Sequence, residues 1–227
     1  IPGLEFDKEG VCSSKEILEV DEVPDEIVVV GGGYIGMEAV TKFCKFGAEV
    51  KVVEARERVL MQFEEEIVDS IQETSSCYND EIYEGYKAKG TDNSSEKIQV
   101  ITEHEGEEAR IEGDKVLVAA GRTAEPNLEN LGLENTDINW EEGFIEHDNR
   151  MQTIDENIYV VGDAAGQPLL AHKAYREGKV VGDIAAGEKA AFDNQYIPKV
   201  IYTDPEVGVV GMNEEEAKEK YDEVKIV

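Results

Sequence analysis

Apolar residues along the chain fall into short β-branched runs separated by helix-spaced stretches, the alternation expected of an α/β fold. Residues 26–30 form a continuous run that reads as a strand buried on both faces of a parallel sheet. A glycine turn follows, then a helix over 34–46 with Ile35, Ala39, Phe43 and Phe46 on its inner face and Gly47 as its stop. Residues 49–54 make a second strand. A further helix is predicted over 63–74, with Phe63, Ile67, Val68 and Ile71 on one side. The stretch 75–95 is poorly patterned. Residues 97–102 and 107–111 flank a turn at His104-Glu105-Gly106 and read as a hairpin crossing above the sheet, and 115–119 returns as a strand. Beyond a loop-like region at 126–140, residues 157–161 read as a short strand ending in Gly162-Asp163. A helix is expected over 171–186 with Gly187 as its stop, strands over 198–202 and 207–210, and a charged helix over 213–221 capped by Asn213. Residues 1–21 are turn-rich and read as the tail of an earlier element.

The strand, glycine turn, helix and strand between Glu26 and Glu54 give chemical meaning to Gly31-Gly32-Gly33-Tyr34-Ile35-Gly36. Gly31, Gly33 and Gly36 match GxGxxG, whose glycines serve a tight turn, room for a pyrophosphate, and close helix-to-strand packing. The helix beginning near Tyr34 aims its amides and the positive end of its dipole at the phosphates. Glu54 ends the second strand, 18 positions after Gly36. A carboxylate there accepts from both ribose hydroxyls and repels a 2′-phosphate, which points to NAD over NADP. Arg56 and Arg58 follow closely and read as solvated loop charges.

Composition narrows the partners. With 52 acidic against 22 basic side chains, the formal net charge is −30. That excess repels nucleic-acid backbones and anionic membrane surfaces, and it fits adaptation to a salty, halophilic cytoplasm in which screening removes the self-repulsion. No apolar run approaches the ~20 residues of a membrane span, and no secretory leader is visible. Cys12, Cys44 and Cys77 form no CxxC or CxxxxC pair, so no zinc site or local redox disulfide is encoded. Each reads as a reduced, small apolar filler, consistent with a reducing, cytoplasmic compartment.

With these pieces in view, the chain resembles the two-nucleotide flavin disulfide oxidoreductases, the pyridine nucleotide-disulfide oxidoreductase family, and within it the dihydrolipoyl dehydrogenases. The stretch from Pro24-Asp25-Glu26 to Gly36-Met37-Glu38 resembles the family's NAD motif, and Val118-Ala119-Ala120-Gly121-Arg122 the strand closing its NAD domain. Ile158-Tyr159-Val160-Val161-Gly162-Asp163 is similar to the second flavin motif. Leu169-Leu170-Ala171-His172-Lys173-Ala174 resembles a sequence particular to dihydrolipoyl dehydrogenases, and the stretch from Tyr196-Ile197-Pro198 to Pro205-Glu206-Val207 the start of their dimerisation domain.

The resemblance implies an α/β fold: a FAD/NAD-binding, Rossmann-like three-layer domain with a β-meander, plus partial flavin-domain and interface-domain segments. It implies the tail of a FAD domain at 1–21, an NAD domain at 22–143, a return to the FAD domain at 144–190, and the start of the dimerisation domain at 191–227. Asp163 would hydrogen-bond the ribityl chain of FAD, with Leu170, Ala171 and His172 lining the flavin through their backbone. Otherwise Asp163 reads as a turn cap. Glu38 and the Tyr34 or Ile35 position would sit beside the nicotinamide, although Glu38 also reads as a surface carboxylate and Tyr34 as a packed aromatic. Gly121 would close the NAD site. Pro126 follows Arg122 by four positions where the family has two.

The chain does not begin with Met and reads as a piece of something longer. The family's first GxGxxG and its CxxxxC would precede Ile1, and its catalytic His-Glu pair would follow Val227. No catalytic or metal-ligating residue is therefore assigned here, and His104, His147 and His172 do not match that pair. The expectation is a fragment that binds NAD(H), carries part of a FAD wall, and does not turn over dihydrolipoamide by itself, the full-length protein being a homodimer. The rival is a free-standing NAD(H)-binding module without catalysis.

Overall fold

The computed structural model describes residues 3–7, 9–78, 81–121, 128 and 130–226. The strands are β1 (Val11–Cys12), β2 (Glu26–Val30), β3 (Glu49–Glu54), β4 (Ile82–Glu84), β5 (Lys87–Asp92), β6 (Ile98–His104), β7 (Glu107–Gly113), β8 (Lys115–Val118), β9 (Trp140–Glu141), β10 (Phe144–Ile145), β11 (Lys199–Ile201) and β12 (Val207–Val209). The helices are α1 (Tyr34–Lys45), α2 (Glu65–Thr74), α3 (Ala171–Ala185) and α4 (Glu214–Lys220). The chain divides into two compact units. One runs to Gly121 and includes 200–208 and the chain from Met212, and the other holds 122–199 with 209–211.

The first unit is built on a five-stranded sheet in the order β1-β8-β2-β3-β4, parallel throughout. Ile27, Val28, Val29 and Val30 in its centre are all but inaccessible, because parallel strands are covered on both faces. On one face α1 packs so closely that a Cβ on Gly36 would stand 3.2 Å from Val29 Cγ1. On the other, the meander β5-β6-β7 buries Ala88, Ile98, Val100 and Ile111 against Val28, Val30, Val53 and Val116. Each of the valines and isoleucines among them contributes about 1.5–3 kcal/mol. The three-layer expectation holds, and the hairpin turn falls on Glu105 (φ 51°) and Gly106 (φ 86°).

In the second unit Leu128, Leu133, Ile138, Ile145 and Val160 form a small core. Asn213 caps α4 in a reciprocal box: its side chain accepts from Glu216 N at 2.7 Å, and Glu216 Oε2 accepts from Asn213 N at 3.0 Å. Among the described residues no helix is long and apolar enough to cross a membrane. Arg122 and Pro126, with the loop after Gly121, lie outside the described residues.

Four expectations are corrected. The buried face of α1 is Gly36, Met37, Val40, Thr41 and Phe43, so the predicted stripe is rotated and Phe46 is exposed. The unpatterned stretch 75–95 holds β4 and β5. The inward residues of β5 are Ala88 and Gly90, the smallest available, so the alternation carries no apolar signal. Residues 157–161 form no regular strand, only a bridge between Tyr159 and Gln152, with Ile158 and Val161 left exposed. Finally, Cys44 and Cys77 are not reduced fillers: they are joined in a disulfide across 33 positions, while Cys12 is a buried free thiol. The argument for a reducing compartment loses two of its three cysteines.

Candidate functional site

The turn between β2 and α1 is shaped by its glycines. Gly31 has φ +112°, and a Cβ there would stand 2.6 Å from the Ala119 carbonyl oxygen at the end of β8. A Cβ on Gly36 would lie 1.9 Å from the Gly31 carbonyl oxygen, so only glycine lets the helix start so close to the strand. Gly33 differs, since a Cβ on it would meet nothing within 4 Å. The GxGxxG reading expects a pyrophosphate on that open side. Gly33 is also the N-cap of α1 and no side chain caps the helix, so its first amides have no side-chain partner from the N-cap.

Glu54 completes the mouth of the turn. Its Oε2 accepts from Gly32 N at 2.6 Å and its Oε1 from Arg56 N at 2.8 Å, which fixes the carboxylate at the end of β3. Gly32 was not singled out from the sequence, yet it contributes this contact, and a Cβ on it would stand 2.5 Å from Val59 Cγ1. Arg58 is not a solvated charge: its guanidinium donates to the Phe63 carbonyl at 2.7 Å and more weakly to those of Leu60 and Val59. It is committed to its own loop.

The other residues of this end fall as follows. Tyr34 packs on Phe63 with ring centroids 5.3 Å apart, and burial pushes its phenol above the ordinary range. Ile35 is half-buried beside it. Glu38 Oε1 accepts from Tyr202 N at 3.0 Å, a tie between positions 164 apart that no local pattern signals. Gly121 is exposed, with φ +134°.

The second unit brings together the remaining candidates. Asp163 lies in the 3-10 turn Gly162–Ala165 and is half-buried. Leu170 is the N-cap of α3, again without a side-chain cap, and Ala171 is exposed in its first turn. His172 Nε2 donates to the Pro198 carbonyl at 2.7 Å. Two residues missed from the sequence organise this turn: Lys173 and Glu177, an ion pair at 2.8 Å buried in the first turns of α3. Their i, i+4 spacing was the available signal. Among the described residues no cluster of His, Cys, Asp and Glu could hold a metal ion.

Residues 1–178 match the family described as pyridine nucleotide-disulphide oxidoreductase, and 197–227 match the dimerisation domain of the same family. Dihydrolipoyl dehydrogenase 2 of Haloarcula marismortui is 44% identical over 220 residues, which cover 96% of this chain and 46% of that protein. The dihydrolipoyl dehydrogenase of Haloferax volcanii is also 44% identical, over 224 residues covering 96% and 46%. Among solved structures, the HOCl-induced flavoprotein disulfide reductase RclA from Escherichia coli is similar with a TM-score of 0.85 at 29% identity, over 96% of this chain and 49% of that one. LpdA from Mycobacterium tuberculosis, at 23% identity, shares the fold with a TM-score of 0.86 over 97% and 47%. The chain spans about half the length of the curated relatives it matches.

Proposed function

The chain belongs to the pyridine nucleotide-disulphide oxidoreductase family, and from that premise we propose that it is the NAD(H)-binding part of a dihydrolipoyl dehydrogenase that works with FAD. The observation that carries the cofactor choice is Glu54, held at the glycine turn by Gly32 N beside the open side of Gly33. Gly31, Gly33 and Gly36 shape the pyrophosphate turn, and the amides opening α1 receive its charge. Glu54 takes the ribose hydroxyls and repels a 2′-phosphate, while Arg58 is turned into its own loop. Tyr34, Ile35, Glu38 and Gly121 border the nicotinamide end.

The residues of the second unit fit a flavin wall. Asp163 offers a carboxylate acceptor for sugar hydroxyls from a glycine-flanked turn, and Leu170, Ala171 and His172 open a helix whose N-terminus no side chain caps. When bound, FAD supplies the relay between a dithiol and the nicotinamide. The protein's part is to hold the two nucleotides and keep the sugars and phosphates oriented. The domain limits follow the same reading: FAD-domain tail at 1–21, NAD domain at 22–143, FAD-domain return at 144–190, and dimerisation domain from 191, with a homodimer as the working state. The cytoplasmic location belongs to the same proposal, with the Cys44–Cys77 pair as the feature that argues against it. The relatives from halophilic archaea support reading the acidic surface as salt adaptation. Nothing in the comparisons supports the rival, a free-standing binding module.

The test is calorimetric titration with NADH and NADPH. NADH binds tighter, and Glu54→Ala narrows the gap; equal affinity in the unmutated protein refutes the NAD assignment. The visible absorption of the purified protein, with its intact mass, decides whether flavin is carried.

A further inference from the structure

We propose that the buried ion pair Lys173–Glu177 is the positioning device that holds Asp163 in place, a proposal that rests on the reading that Asp163 faces a flavin. Both side chains sit one helical turn apart on α3, 5% and 2% exposed, with Nζ 2.8 Å from Glu177 Oε1. Neither spends its remaining polarity on solvent. Glu177 Oε2 accepts from Gly162 N at 2.7 Å, while Lys173 Nζ donates to the Gly162 carbonyl at 3.2 Å and the Gly166 carbonyl at 2.8 Å. All three ammonium hydrogens are thus engaged.

Gly162 is therefore gripped at both its amide and its carbonyl, and Gly166 at its carbonyl, on the two sides of Asp163. These glycines have φ +80° and +112°, conformations that a glycine leaves as readily as it enters. The grip is what makes the turn a single conformation. His147 Nε2 lies 2.9 Å from the Ala165 carbonyl oxygen and adds a hold from another segment.

Stability alone does not account for the pair. Burying two charges costs several kcal/mol per ion before their attraction is counted, and an apolar pair of the same size is often no worse. Such a pair would fill the space but leave one backbone amide and two carbonyls of the turn unmade. What only the charged pair contributes is the geometry of residues 162–166. Lys179 and Asp183 make the same i, i+4 pair on the same helix at 3.0 Å, largely in solvent, and provide an internal control.

The experiment uses the protein as expressed from its own gene, with FAD itself as the probe. Lys173→Met combined with Glu177→Leu removes both charges at once, so no lone charge is left buried. FAD affinity, read by flavin fluorescence quenching, should weaken about tenfold or more, and hydrogen exchange at Gly162 should accelerate, with NADH affinity and helix content unchanged. Lys173→Met with Glu177→Gln keeps an acceptor for the Gly162 amide and should fall between. Lys179→Ala should alter none of these. Unchanged FAD affinity in the first variant, or in the second should the first not fold, overturns the proposal. If the unmutated protein takes up no FAD, it is the flavin reading that falls; exchange at Gly162 then still decides whether the pair holds the turn.

Discussion

Reducing the Cys44–Cys77 disulfide is the perturbation with the largest expected effect on the first unit. The bond joins the last turn of α1 to the 3-10 turn Ser76–Tyr78 across 33 positions. It reinforces a contact already on that helix face, where the buried Tyr78 hydroxyl is within hydrogen-bonding reach of Thr41 Oγ1 and of the Met37 carbonyl. Met37, Thr41 and Cys44 follow one another at spacings of four and three, a single stripe along α1. A closed loop of this length restricts the unfolded chain by about 4 kcal/mol at 25 °C, between the ~3 of a 15-residue loop and the ~4.7 of a 100-residue one. At about 2–4 °C per kcal/mol for a chain of this size, reduction should lower the thermal midpoint by up to about 15 °C. Cys44→Ser with Cys77→Ser should reproduce the shift and abolish its dependence on reductant.

The assay is thermal unfolding followed by circular dichroism with and without a dithiol reductant, alongside a count of alkylatable thiols in denaturant. One thiol, Cys12, should react without reductant and three with it. Three reactive thiols in the unreduced protein, or a midpoint insensitive to reductant, would refute the reasoning.

Other outcomes follow from single contacts. Gly36→Ala places a Cβ 1.9 Å from the Gly31 carbonyl oxygen and should abolish NADH binding, while Gly33→Ala, with no atom within 4 Å, should fold normally; equal NADH affinity in Gly36→Ala and the unmutated protein would dismiss the turn's role. Burial pushes the Tyr78 phenol up from 10.0 to about 12. The unfolded chain therefore loses that proton first, and stability complete below pH 10 should decline between about 10 and 12. Tyr78→Phe, costing about 1 kcal/mol at neutral pH, should flatten that limb, as alkaline denaturation curves would show. Hydrogen bonds from Lys51, then Lys97, hold Glu26 below the usual carboxylate range; stability present above its unfolded pKa falls away as the pH drops through the lower folded value, and Glu26→Gln should remove that acid-side slope. Because net charge is −30, molar salt should raise the thermal midpoint by screening self-repulsion; a flat or falling midpoint would count against salt adaptation.

Much of what depended on local periodicity was legible in the sequence, although the inner stripe of α1 and the apolar run at 157–161 were misread because only packing decides which apolar residues are covered. The buried valines of β2, the glycine turn, α1, β3 with Glu54 at its end, and the Asn213 cap all follow from residues within a turn or two of one another, because the forces that fix them act at that range. Tertiary structure alone decided where long-range partners met. Gly90 fits against Gly3, whose carbonyl oxygen would stand 3.3 Å from a Cβ on Gly90 and accepts from Thr91 N at 3.0 Å, while Ala88 is buried in the core, and residues so small leave no hydrophobic pattern to detect. Cys44 finds Cys77 only because the chain after α2 folds back onto α1, and Glu38 finds Tyr202 across 164 positions. Lys173 and Glu177 announced their pairing by spacing, but their burial, and hence their hold on Gly162, came from packing that no stretch of sequence contains.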